Sequence, residues 1–288
     1  MKKSILILSD YKDGASRVQR KDFADGNGRL FWFLIHQAGI NTRDIDIKYT
    51  RDNAFRASDY SIVVPLGHEA LKAVADGNVR KLRGSVLGEG NPWIIPTLNP
   101  RDLKKPFDVF RESQVETAQL VLFDLKKVRR IYDEGFEKPR EDFCVEPTIE
   151  DLESFVEESR LAPYLGVDLE GTGLNLDYTD IVTVGFATSR NRAFVVPLLT
   201  SGGESYWEIG ELKRVDTALR ELLYNRKLLF QNGYGYDVPL LRKHGYEIPW
   251  ENFLSDTMLV HHALDPELPH NIGFISSIYG NQPSTKAA

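Results

Sequence analysis

The stretch Tyr164-Leu-Gly-Val-Asp-Leu-Glu-Gly-Thr-Gly-Leu174 decides the reading of this chain. An apolar run, Tyr164–Asp168, predicts a strand that delivers Asp168 and Glu170 to its end before the chain breaks at Gly171 and Gly173. Residues i and i+2 of a strand share a face, so both carboxylates point the same way. Two like charges held that close are costly unless a cation lies between them. Hard divalent cations such as Mg²⁺ and Mn²⁺ favour oxygen ligands of this kind. The pair therefore points to metal-assisted phosphodiester chemistry and raises the question of where further ligands lie.

A second acid follows in Leu228-Leu-Phe-Gln-Asn-Gly-Tyr-Gly-Tyr-Asp-Val-Pro-Leu-Leu241. A short apolar strand, Leu228–Phe230, leads to Asn232, and Asp237 then opens a helix whose first turn tolerates Pro239. Thr148-Ile-Glu-Asp151 reads as a capping box for a helix to about Ser159. Ile181–Thr188 and Ala193–Pro197 read as two strands joined to the first by short turn-rich links, an antiparallel meander. Ile209, Leu212, Val215, Ala218, Leu219 and Leu222 recur at helical spacing.

Val167-Asp-Leu-Glu-Gly-Thr-Gly-Leu174 resembles the first motif of the DEDD-type 3′→5′ exonucleases, and Asn232-Gly-Tyr-Gly-Tyr-Asp237 resembles their second. The order β-β-β-α-β-α is that of a ribonuclease-H-like domain. Asp256-Thr-Met-Leu-Val-His-His-Ala-Leu-Asp-Pro266 is similar to the segment that follows in the proofreading domain of family A DNA polymerases, phage-type ones included. The resemblance implies two-metal hydrolysis with Mg²⁺ or Mn²⁺, in which Asp168 bridges both ions, Glu170 helps hold one and orients the water, and Asp237 supports the other. It implies that Thr172, Leu174 and Asn232 seat the terminal nucleotide and that Tyr234 or Tyr236 stacks on a base. Asp256 is expected to cap the next helix. The adjacent pair His261–His262 is not expected to bind one metal, because neighbouring helical residues diverge. The family's third motif, a Tyr or His four residues before an Asp, is missing. Asp265 precedes Pro266, which disfavours helix at Asp265, and residues 272–288 contain no acid. The nuclease is thus expected to be weak or inactive on its own, with a second polypeptide carrying the missing motif and the polymerase as a partner. Phe274, Ile275 and Ile278 are expected to stay exposed.

The first half alternates strands (Ile5–Leu8, Ser61–Leu66, Trp93–Pro96) with helices (Gly28–Ala38, Gly67–Ala75 and one through Val115–Val128), which implies a parallel α/β sheet. Ile5-Leu-Ile-Leu-Ser-Asp10, Ile62-Val-Val-Pro-Leu-Gly-His-Glu-Ala-Leu71 and Ile95-Pro-Thr-Leu-Asn-Pro-Arg-Asp-Leu103 resemble pieces of the uracil-DNA glycosylase superfamily. The resemblance implies a degenerate pocket at Asp10 and Asn99, where Asn99 replaces the family's catalytic-loop His and Asp10 or Asp13 orients a water. Asn99 can donate a hydrogen bond but carries no charge. Arg80, Lys81 and Arg83 read as a solvated basic turn.

The expected fold is α/β: a parallel-sheet glycosylase-like domain over residues 1–130, a linker over 131–147, and a ribonuclease-H-like mixed-sheet exonuclease domain over 148–288. At 288 residues the chain has room for both cores. A single cysteine, Cys144, excludes an internal disulfide and an iron–sulfur cluster held by several cysteines. With no apolar run of about 18 residues, no membrane span or membrane partner is expected, and the compartment is read as cytoplasmic, the host cytoplasm for a phage protein. The net charge of −6 argues against a broad phosphate-neutralising surface but not against an enzyme that grips a single-stranded or frayed DNA 3′ end. The alternatives are a non-catalytic DNA-binding or assembly module, such as a split or truncated polymerase subunit, and a uracil-DNA glycosylase.

Overall fold

A computed structural model describes residues 4–10, 22–52, 55–102 and 113–282. The chain forms two units, residues 1–138 with 266–288, and residues 139–265. Each is α/β. No helix among the described residues is long and apolar enough to cross a membrane.

In the first unit four parallel strands, β1 (Ile5–Ser9), β2 (Ile45–Tyr49), β3 (Ile62–Leu66) and β4 (Trp93–Ile94), lie in the order β2-β1-β3-β4. β1 and β3 are continuous apolar runs because both sheet faces are covered. Ile5, Ile7 and Val64 pack with α1 (Gly26–Gln37) and α4 (Ser113–Glu134) on one side. Leu6, Leu8 and Val63 meet Ala70 of α2 (His68–Lys72) on the other. β2 escaped the sequence reading because Ile45-Asp-Ile-Lys-Tyr49 is a half-buried edge whose charged residues break the apolar run. Between α2 and β4 lies a single turn, α3 (Val79–Leu82).

The second unit carries the mixed sheet β10-β9-β6-β7-β8-β5. Its centre is the expected meander of β6 (Leu165–Gly171), β7 (Ile181–Ala187) and β8 (Arg192–Pro197), antiparallel throughout. β9 (Leu228–Phe230) and β10 (Phe253–Asp256) extend it in parallel beyond β6. α5 (Ile149–Ser159) starts on the expected capping box, with Asp151 N–H donating to Thr148 Oγ1 at 3.2 Å and Thr148 N–H to Asp151 Oδ2 at 2.9 Å. Phe155 of α5 stacks on Phe194 of β8 at 4.6 Å, and α6 (Leu212–Tyr224) turns Val215, Leu219 and Leu222 into the same core.

Two boundaries differ from the sequence reading. Residues 131–147 hold the last turn of α4 and an edge strand, β5 (Asp142–Cys144), parallel to β8. The chain after Asp265 joins the first unit, not the second. α9 (Ile272–Tyr279) packs there through a buried ionic cluster. Asp124 on α4 accepts from Arg83 Nε at 3.2 Å and Thr97 Oγ1 at 2.7 Å, and Arg83 Nη1 donates to Ser277 Oγ at 2.8 Å. Lys127 Nζ donates to the carbonyls of Gly84, Ser277 and Gly280. Gly84 sits at φ +72°, and a Cβ there would meet the Ser277 carbonyl and Asp124 Oδ1 at 2.5 and 2.6 Å, so glycine allows the approach. Ile278 is consequently buried, and Arg83, read as part of a solvated turn, lies inside this cluster.

Candidate active site

β6 alternates as its composition demands: Val167 and Leu169 enter the core while Asp168 and Glu170 stand exposed on the opposite face. The third acid reaches them through the β9–α7 connection. After Phe230 the chain turns at Asn232, whose φ of +62° is left-handed. Asp256 Oδ1 holds that turn, accepting from Asn232 N–H at 3.0 Å and from Met258 N–H at 2.9 Å. One carboxylate thus ends β10, caps α8 (Thr257–Leu264) as expected, and fixes the loop beside it. Val238 N–H bonds the Gly233 carbonyl at 2.9 Å, and α7 (Asp237–Lys243) begins on Asp237. Asp237 is buried, and its Oδ1 accepts from Leu169 N–H at 3.0 Å, tying the helix start to the strand between the two exposed acids.

The charges register this closeness. Burial first, then the Asp168 carboxylate, pushes Asp237 up to about 6, against the pull of the Leu169 amide. Burial and the charges of Asp237 and Glu170 raise the Tyr236 phenol. Asp168, Glu170 and Asp237 are therefore one electrostatic cluster although 69 positions separate its ends in sequence. Its all-oxygen donors suit a hard divalent cation. Among the described residues, however, no three His, Cys, Asp or Glu side chains are arranged to hold a metal ion together. Two carboxylates with water and a substrate phosphate are an ordinary Mg²⁺ environment.

Thr172 closes the loop after β6: its N–H donates to the Asp180 carbonyl and its Oγ1 accepts from Asp180 N–H, both at 2.9 Å. Tyr236 Oη donates to the Gly173 carbonyl at 2.8 Å. Leu174 is 90% exposed at the tip. Tyr234 leans on Phe253 at 4.6 Å and on exposed Trp250 at 6.1 Å, while Asn232 is exposed. His261 is buried and His262 exposed, on diverging sides of α8. α8 stops at Leu264, just before Asp265.

No protein-family model matches the chain, and no curated protein matches it. One solved structure, described as the apo form of the nuclease, is 14% identical with a TM-score of 0.32. The match covers 47% of this chain and 57% of that one, and it adds no weight to the site.

In the first unit the structure brings Asp10 and Asn99 together at the carboxyl ends of β1 and β3, where the strand order reverses. Asn99 Nδ2 donates to Asp10 Oδ1 at 3.0 Å and to the Leu66 carbonyl at 3.3 Å. Arg101, which sequence reasoning missed, grips both Asp10 oxygens at 3.0 and 2.7 Å and donates its N–H to Asn99 Oδ1 at 2.9 Å. The carboxylate that the glycosylase resemblance assigns to a water is paired with a guanidinium. Asp13 lies outside the described residues.

Burying Asp237 has a measurable cost. An acid whose folded pKa is raised binds extra protons in the native state between its unfolded value, about 3.9, and about 6, so stability falls as pH rises through that window. Asn keeps an oxygen for the Leu169 amide and cannot ionise. Asp237→Asn is expected to raise stability by roughly 2–3 kcal/mol at pH 8, with the gain vanishing near pH 4. Denaturant melts of both proteins across that range check this; a less stable variant at pH 8 would contradict it.

Proposed function

We propose that this protein is a nuclease that uses Mg²⁺ or Mn²⁺ to remove nucleotides from the 3′ end of single-stranded or frayed DNA. The observation that carries the reading is the junction of β6 with α7, where the Leu169 amide bonds Asp237 between the exposed Asp168 and Glu170. A divalent ion held there would supply an activated water and would neutralise charge on the scissile phosphate. Asp168 and Glu170 are the acids placed at the surface to hold it, and Glu170 is the group that orients the water. Asp237 backs them from below, its carboxyl held above the ordinary range by burial and by the Asp168 carboxylate. Tyr236 gives its hydroxyl to Gly173, so it positions the loop and does not transfer a proton.

With Asp237 buried and bonded to a backbone amide, the chain by itself has a sparse ligand set, and its turnover is expected to be slow. A partner polypeptide that adds a carboxylate would raise it. The test is direction. A 5′-labelled single-stranded oligonucleotide with Mn²⁺ should shorten one nucleotide at a time from its 3′ end, and a 3′-blocked copy should resist. Internal cuts, or shortening of the blocked copy at the same rate, would overturn the reading. Binding without any shortening would identify a DNA-binding module instead.

A further inference from the structure

The loop from Gly171 to Asp180 is built more firmly than a solvent-facing turn needs. Besides the Thr172–Asp180 closure and the Tyr236–Gly173 bond, Asn175 Oδ1 accepts from Asp177 N–H at 3.1 Å, and its carbonyl accepts from Tyr178 N–H at 3.0 Å. Thr179 is buried, its Oγ1 donates to the same carbonyl at 2.7 Å, and Lys243 of α7 donates to the Thr179 carbonyl at 2.9 Å. Gly171 packs so tightly that a Cβ would collide with Tyr236 Oη and Thr179 Cγ2. Yet this rigid frame presents Tyr178 with 84% of its surface in water, on the same loop as the bare Leu174.

A preorganised loop loses little entropy when it binds. Its own charges, Asp177 and Asp180, repel phosphate, so a nucleic acid would meet it through an uncharged face. A nucleobase offers one, and an exposed tyrosine ring stacks on any base. We propose that Tyr178 is a base-stacking residue that grips a nucleotide of the single strand near the Asp168–Glu170 acids. This rests on the nuclease reading of that site. Stacking prefers the larger purine surface, so the grip favours adenine over thymine runs.

The test is binding of fluorescent oligo-dA and oligo-dT to the full chain in EDTA, read by anisotropy, with cleavage in Mn²⁺ measured in parallel. Tyr178→Ala is expected to weaken oligo-dA binding roughly 5- to 100-fold. Tyr178→Phe should restore it, and the dA preference should shrink in the alanine variant. The side chain is exposed, so melting temperatures should match. If wild type binds and cleaves while Tyr178→Ala binds both oligonucleotides equally well, the stacking role is wrong and the nuclease reading stands. If wild type neither binds nor cleaves, both are wrong.

Discussion

Asp168→Ala is expected to lower 3′-nucleotide release by at least about 10²–10³-fold, since removing one fixed electrostatic group from such a site costs that much. The loss should come without unfolding. Asp168 lies on the exposed face of β6, and its charge is the second cause that lifts Asp237 above the ordinary carboxylate range. Removing it relieves Asp237, so the variant should melt at the same temperature as wild type or slightly higher. Loss of activity with retained stability is the signature of a functional charge cluster. A structural acid would lose both together. Glu170→Ala should behave in the same way, whereas Asp256→Ala should destabilise, because Asp256 holds the Asn232 turn and caps α8. A melt of each variant beside a cleavage time course separates these patterns. An Asp168→Ala protein that cleaves like wild type would remove the acid pair from the mechanism.

Asp124→Ala carries the largest expected effect on stability. Asp124, Arg83 and Lys127 are each 5% exposed or less; burial pushes the Asp124 carboxyl up, and the Arg83 guanidinium bonded to both its oxygens opposes that rise. Burial drives Lys127 down to about 8 despite the pull of Asp124, so the cation is already held at a cost. Taking away the carboxylate leaves two buried cations facing each other, a change typically worth about 3–5 kcal/mol. The damage should concentrate at the C-terminal segment, because Lys127 and Arg83 are what hold Ser277 and Gly280. Limited proteolysis should cut the variant near α9 well before wild type, and its melting temperature should fall by roughly 10 °C. A melting temperature within about 2 °C of wild type would show that the cluster is dispensable.

How much of this was legible in sequence depends on the range of the forces involved. The meander, the capping box and the acids of β6 are local patterns, written in strand alternation and in Thr148–Asp151, and the structure has them. The start of α7 on Asp237 was equally local. Charged edge strands such as β2 and β5 were hidden, because a half-buried edge lacks the apolar run that marks a central strand. The return of α9 to the first unit was hidden for another reason. It depends on Arg83, Asp124 and Lys127 meeting Ser277 across more than a hundred residues, and no periodicity announces that contact. Within the site, the three acids came from motif spacing, but Tyr178 carried no signal. Its meaning lies in a rigid loop with a bare ring, visible only once the bonds of Thr172, Asn175 and Lys243 are known. Arg101 could have been suspected as a nearby cation for Asp10, yet 91 residues separate them.

The central proposal is that Asp168 and Glu170, backed by the buried Asp237, hold a divalent cation. Titration of the protein with Mn²⁺ at pH 7.5, followed by the electron paramagnetic resonance signal of the free ion, tests it most directly. Wild type should withdraw Mn²⁺ from solution and release it to excess Mg²⁺, and Asp168→Ala should withdraw far less. Equal withdrawal by the two proteins, or none by wild type, would contradict the assignment.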